Sequence, residues 1–285
     1  IGVRLVGSEM CIRDRNMGFD EFFGYNCQRQ AHSYYPDHLW HNSDTVFLHE
    51  NDNEGRKIYS QDLIHEQALK FIRDNKDKPF YAMLTYTLPH AELNLPHDSI
   101  YQMYENAFEE VPYDGKMGYH PSEKPYASFA AMVTRLDKYV GDVMAELKEL
   151  GLDKNTIVVF SSDHGETMCS QRTDDPKNSP YSESMNVPFI VRYPDKIRPR
   201  VDNLMLSSPD IMPTLLGLCG LGDSIPAEVQ GRNFAPLFFD EKADIVRPTG
   251  ALYIQNLDGE KDENGLVTSL SLIHISEPTR RTPIS

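Results

Sequence analysis

Apolar positions recur along this chain with two periods, and these divide it into helices and strands. From Ser60 to Asn75, residues Ile64, Ala68, Phe71 and Ile72 fall on one face of a helix, with Ser60 placed as its cap. Lys76 to Lys78 make a polar turn, and Pro79 to Thr87 is apolar throughout, as expected of a strand. The clearest helix runs from Ser128 to Leu150. Its stripe includes Phe129, Met132, Val133, Leu136, Val140 and Leu147, and Gly151 suits the position just past its end. Thr156 to Ser161 is a short β-branched run, read as a central strand buried on both faces, and Val187 to Val191 returns to the sheet. Further on, Ser208-Pro209-Asp210 starts a helix with Ser208 as cap, and Ala251 to Gln255 is a last strand. Two stretches lack a period: Gly18 to Asn42, rich in aromatics and glycine, and the polar run Leu95 to Tyr126. Both are expected to be loops, and long loops commonly carry function. Strand, excursion, helix and strand from Pro79 to Ser161 predict a right-handed crossover and an α/β fold.

Chemistry gathers where the strands end, which is where open α/β sheets bind ligands. The run Thr156 to Ser161 stops at Ser162, Asp163, His164 and Gly165. Asp offers hard oxygen donors, His a nitrogen, and Gly lets the backbone turn close to a bound group. Thirteen positions after His164 stands Lys177, a point charge suited to an anion. His90 follows Leu88-Pro89 at the end of the other apolar run. Each feature has a plain alternative. Asp-His-Gly also suits a simple turn with Asp163 as a helix cap, and a lone histidine after a strand is more often structural.

Taken together, DHGE, a polar loop with one lysine, and PYSESMNVPFIV resemble the sulfatase family of the alkaline-phosphatase superfamily. GFDEFFGY, TLPHAELNLP, SSPDIMPTLLGLCGL and QGRNFAPL resemble other segments of that family. The resemblance implies an alkaline-phosphatase-like α/β fold, with a mostly parallel central sheet, helices on both faces, and both ends incomplete. It implies metal binding by Asp163 and His164, and sulfate contacts and catalysis by His90 and Lys177. It adds Arg29 and His32 as substrate contacts. The implied cofactors are a divalent cation, with calcium ahead of zinc or manganese, and a formylglycine nucleophile. One oxygen of the hydrated formylglycine attacks sulfur, and its second hydroxyl later expels the sulfate. His164 stands where many sulfatases have Asn, and calcium prefers oxygen. Gln171-Arg172 replaces a Ser-His-Gly turn common in the family.

The formylglycine motif C/S-x-P-S-R is absent, as are the paired aspartates and Gly-Lys-x-His segment that precede GFDEFFGY in the family. The chain as written is therefore expected to be inactive, while its intact parent hydrolyses sulfate esters. The ends look foreign. Back-translated, residues from Met10 onward are the reverse complement of Leu270 to Ile275, as adapter read-through would be. Residues 1–15 and 270–285 are accordingly set apart from a native domain at 16–269.

Composition narrows the partners. A net charge of −15, with no basic stripe, argues against nucleic acid. No apolar run approaches the roughly 18 residues a membrane helix needs. Cys27, Cys169 and Cys219 match neither a zinc site nor a disulfide framework. The expected partner is a sulfated small molecule or carbohydrate. By resemblance the protein is periplasmic or secreted. The competing functions are a phosphodiesterase or phosphonate monoester hydrolase of the same superfamily, and a non-catalytic binding domain.

Overall fold

The computed structural model describes residues 2–8, 18–115, 119–167, 170, 177, 179, 181–255 and 271–276. They fall into two compact units, Ile1–Asp153 and Lys154–Ser285. Gln171-Arg172 lies outside the described residues.

The first unit is an α/β layer. Strands β1 (Gly2–Ser8), β2 (Glu21–Tyr25), β3 (His38–His41), β4 (Asp44–Phe47) and β5 (Phe80–Thr85) form one sheet in the order β4-β3-β2-β1-β5. β1 runs parallel to both β2 and β5, and β3 and β4 extend the sheet antiparallel. The slot between β2 and β5 is thus filled by residues from the terminal segment that the sequence reading set apart. Gly18 to Asn42 is not the loop expected. Phe22, Phe23 and Tyr25 are buried, and the segment holds β2, the short helix α1 (Gln28–Ala31) and β3. With both faces of β2 covered, no alternation marks it in the sequence.

Helix α2 (Ser60–Asp74) packs on the sheet through Ile64 and Ala68, which meet Phe23, Tyr25, Leu39 and Leu84. Burying Ile64 alone is worth about 1.5–3 kcal/mol. β5 alternates: Phe80 packs edge-on against Phe71 of α2, while Tyr81 and Met83 point the other way and are exposed. The expected cap also differs. Tyr59 is the N-cap residue, and the Ser60 hydroxyl is drawn into the core instead, donating to the Tyr34 carbonyl at 2.8 Å.

Helix α4 runs from Pro125 to Glu149, starting three residues earlier than the stripe suggests. Its first N–H groups are capped from the preceding excursion: Tyr126 and Ala127 donate to the Glu110 carboxylate at 2.9 and 2.8 Å. Gly151 lies just past its end with φ +70, as the sequence predicts. The buried face keeps Met132 and Leu147 of the expected stripe but is rotated from it. Val133 is exposed, whereas Arg135 and Tyr139 are buried. Arg135 can be inside because its guanidinium binds Asp62 at 3.1 Å and Asp98. Asp62 also accepts the Tyr139 hydroxyl at 2.5 Å. Asp98 in turn caps the short helix α3 (Ser99–Gln102) through Ile100 and Tyr101.

In the second unit, β6 (Val158–Ser161) pairs antiparallel with β7 (Phe189–Arg192). β6 is half-buried rather than enclosed on both faces. A parallel return needs a crossover of a dozen or more residues, usually helical; here the described link contains only the four-residue α5 (Ser182–Met185). Helix α6 (Ser208–Leu218) is capped one residue earlier than expected. The Asp210 carboxylate accepts both the Ser207 N–H at 3.0 Å and its hydroxyl at 2.7 Å. Helix α7 (Ala235–Phe239) packs on α6, and β8 (Gly250–Gln255) pairs antiparallel with β9 (Ser271–Ser276).

Candidate active site

The first unit brings two of the expected residues together. His32 caps the C-terminal end of α1, and its ring stacks on His90 with centroids 4.9 Å apart. Tyr119 meets both rings edge-on, at 5.3 Å from His32 and 5.6 Å from His90. Arg29 is exposed, three residues before His32 and on the same face of α1.

The position of these rings is set from α2. Gln61 is fully buried; its amide nitrogen donates to the Tyr25 hydroxyl at 2.9 Å and the Thr87 hydroxyl at 3.1 Å. Its amide oxygen accepts the Thr87 N–H at 3.2 Å. Ser60 donates to the Tyr34 carbonyl and accepts from the Tyr25 hydroxyl at 2.5 Å. Burial holds that phenol well above its usual pKa, so it remains a donor. The chain is therefore pinned at Tyr34, two residues after His32, and at Thr87, three before His90. Thr87 also accepts the His90 N–H at 2.9 Å. Sequence reasoning missed Ser60 and Gln61 in this role, because a polar pair at a helix start reads as a cap.

Two residues after His90 stands Glu92, 1% exposed, whose carboxylate meets His120 Nδ1 at 3.0 Å. Neither residue stood out in the sequence. His120 lies in the aperiodic run, and only tertiary structure brings it to Glu92. His97, read as a loop residue, is one: it stacks on Tyr101 at 4.0 Å.

The second unit holds the other set. Asp163 Oδ1 accepts the His164 N–H at 3.0 Å and the Ser162 hydroxyl at 3.3 Å, which orients the carboxylate. Its Oδ2 stands 3.6 Å from His164 Nε2. The other ring nitrogen, Nδ1, lies 2.7 Å from the Gly165 carbonyl. A carbonyl can only accept, so Nδ1 donates to it, and in the neutral ring Nε2 is the nitrogen left with a lone pair. One nitrogen and one carboxylate oxygen thus lie 3.6 Å apart, and donors of these two types suit a divalent cation.

Gly165 is required by space. A Cβ there would lie 2.0 Å from the Glu183 carbonyl oxygen. The close approach lets Gly165 donate to the Ser184 carbonyl at 2.9 Å. The hydroxyl of the same Ser184 donates to the Lys177 carbonyl. Ser184 therefore ties the Asp163–His164 loop and the Lys177 segment to one short helix, a role its sequence context did not reveal.

An α/β chain that sets imidazoles past one strand end and an Asp-His-Gly loop past another has the architecture of the alkaline-phosphatase-like hydrolases. A family model described as Sulfatase matches residues 7–221. The chain is 52% identical over 266 residues to an endo-4-O-sulfatase of Bacteroides thetaiotaomicron, covering 86% of this chain and 51% of that protein. It is 29% identical over 272 residues to an ulvan-active sulfatase of Formosa agariphila, covering 91% and 47%. A solved structure from work on glycosaminoglycan metabolism by Bacteroides thetaiotaomicron superimposes with a TM-score of 0.77 at 40% identity, covering 96% of this chain and 63% of that one. The chain belongs to the sulfatase family. It spans about half the length of the curated relatives it matches. Sulfatases generally use a divalent cation and a formylglycine. Among the described residues, no helix is long and apolar enough to cross a membrane.

Proposed function

We propose that this chain is the cation- and sulfate-binding portion of a sulfatase that removes 4-O-sulfate groups from glycosaminoglycan-like carbohydrate. The observation that carries the reading is the Asp163–His164 pair, held with Lys177 on Ser184, in a chain 52% identical to an endo-4-O-sulfatase. Asp163 and His164 Nε2 hold a divalent cation, calcium ahead of zinc or manganese. Bound there, the cation would neutralise charge on the sulfate ester. Lys177 supplies a second positive charge to the sulfate. His90 donates a hydrogen bond to the ester oxygen, and His32, stacked on it, fixes its ring plane and helps hold the substrate. Arg29 contacts an outer part of the saccharide. The intact protein works in the periplasm or outside the cell.

Calorimetry on the 285-residue chain tests this, with Ca2+, Mn2+ and Zn2+ as separate titrants and a 4-O-sulfated glycosaminoglycan disaccharide added afterwards. Tight binding of one cation, at least tenfold weaker in Asp163→Asn, is expected, with tighter disaccharide binding in its presence. Turnover of a sulfate ester is not expected from a chain without C/S-x-P-S-R. Equal cation binding by Asp163→Asn would remove the assignment.

The ends 1–15 and 270–285 are read as foreign to the domain 16–269. A chain trimmed to 16–269 that keeps its thermal transition supports that reading. Loss of cooperative unfolding would instead show that Gly2–Ser8 is needed between β2 and β5.

A further inference from the structure

An open groove in the first unit carries chemistry that the reaction itself does not use. It has two lobes, of about 490 and 620 Å3, which share Tyr35, Arg56 and Asn94. Lys57 and His97 line the first lobe, and Gln30 and His120 line the second. Gln30 belongs to α1 and His120 follows Tyr119, so the second lobe adjoins the His32–His90 stack. The first lobe lies beyond it. Shallow polar walls suit an extended polar chain and offer little to a small apolar ligand.

Charge is distributed unevenly along this groove. In the first lobe both carboxylates, Asp62 and Asp98, are bound to Arg135. Arg56 and Lys57, both exposed, have no carboxylate partner among the described residues. In the second lobe Asp37 and Asp52 lie against His38 and His49, at 2.7 and 3.1 Å, and no Arg or Lys pairs with either among the described residues. The first lobe, with Lys57 beside the shared Arg56, therefore attracts an anion, while the second sets two carboxylates beyond Arg56 and favours hydroxyl donors. This matters in a chain of net charge −15, whose overall field opposes a polyanion.

We propose that Arg56 and Lys57 form a second anion subsite. It receives the carboxylate or sulfate of a sugar unit beyond the one losing its sulfate, while an intervening neutral face lies in the second lobe. The subsite selects oligomers over single disaccharides. This rests on the proposed function and extends it to the length and charge spacing of the substrate.

The test compares a 4-O-sulfated glycosaminoglycan hexasaccharide with its disaccharide, titrated into the full chain. The chain should bind the hexasaccharide at least tenfold more tightly. The double variant Arg56→Gln/Lys57→Gln should lose that advantage, leave disaccharide affinity unchanged and show a flatter dependence on salt. Arg56→Lys should restore part of it. An unchanged thermal transition shows that the variants fold. Equal hexasaccharide affinity in wild type and double variant, or no advantage of hexasaccharide over disaccharide, overturns the subsite alone. Failure of the wild-type chain to bind either saccharide overturns the subsite and the proposed function together.

Discussion

The histidine region and the Asp-His-Gly loop are built in opposite ways. His32 and His90 rest on a buried polar network in which Gln61 makes three hydrogen bonds and is itself wholly enclosed. Asp163, by contrast, has a side chain 83% exposed, and its loop is held by backbone hydrogen bonds and one glycine contact. The first arrangement is stiff before any ligand arrives, because moving a ring means breaking buried bonds. The second has orientation without enclosure, which suits groups whose remaining partner is an ion. Mutations should therefore act on stability in the first region and on cation affinity in the second.

The strongest way to break this contrast is Gln61→Leu. It keeps the volume but strands the Thr87 N–H and takes a donor from the Tyr25 hydroxyl, which keeps its bond to Ser60, and should cost about 2–4 kcal/mol in urea unfolding. A cost below about 0.5 kcal/mol would show that the network does not hold the histidine region. Next is Gly165→Ala. The added methyl collides with the Glu183 carbonyl, which should cost about 1–3 kcal/mol locally. Hydrogen exchange should quicken at residues 163–166 and cation binding should weaken at least tenfold, while Gln61's surroundings stay protected. If exchange quickens equally in both units, the two regions are not independent.

Acid provides a third handle. Hydrogen bonding from Arg247, opposed by burial and helped by Arg200, lowers the Asp202 pKa from 3.8 to about 2. The folded pKa lies below the unfolded one, so this contribution is present above pH 4 and lost as pH falls toward 2. It amounts to on the order of 1 kcal/mol after solvent screening. Asp98 in the first unit moves the same way: burial would raise its pKa, but the Arg135 hydrogen bond and charge outweigh it. Urea midpoints from pH 5 to 2.5 should fall, and Asp202→Asn should flatten that fall. No flattening would mean that the Arg247 pair is not formed. The smallest effect belongs to Ser184→Ala, which removes one hydroxyl bond to the Lys177 carbonyl and should cost about 1 kcal/mol. Its signature is faster exchange around Lys177, with the Gly165 N–H still protected by the Ser184 carbonyl. Lost protection at Gly165 would show that the hydroxyl holds both segments.

The local order of residues by itself determined several features. Helices over Ser60–Asp74 and Pro125–Glu149 were marked by their apolar period, and Gly151 by the left-handed turn it permits. The Asp163-His164-Gly165 motif was marked by donor chemistry packed into three adjacent positions. These are short-range properties, and short-range order is what a sequence displays. Other features depended on long-range encounters. Arg135 could enter the core only because Asp62 and Asp98 converge on it from other segments. Glu110 reaches back to cap α4, Gln61 locks Tyr25 to Thr87, and Ser184 joins Gly165 to Lys177. A polar side chain reads as surface or cap until its partners arrive, because its burial is favourable only once they are in place. The α/β class and the chemical donors were therefore legible from the residues alone, and the way those donors are held was decided by tertiary structure.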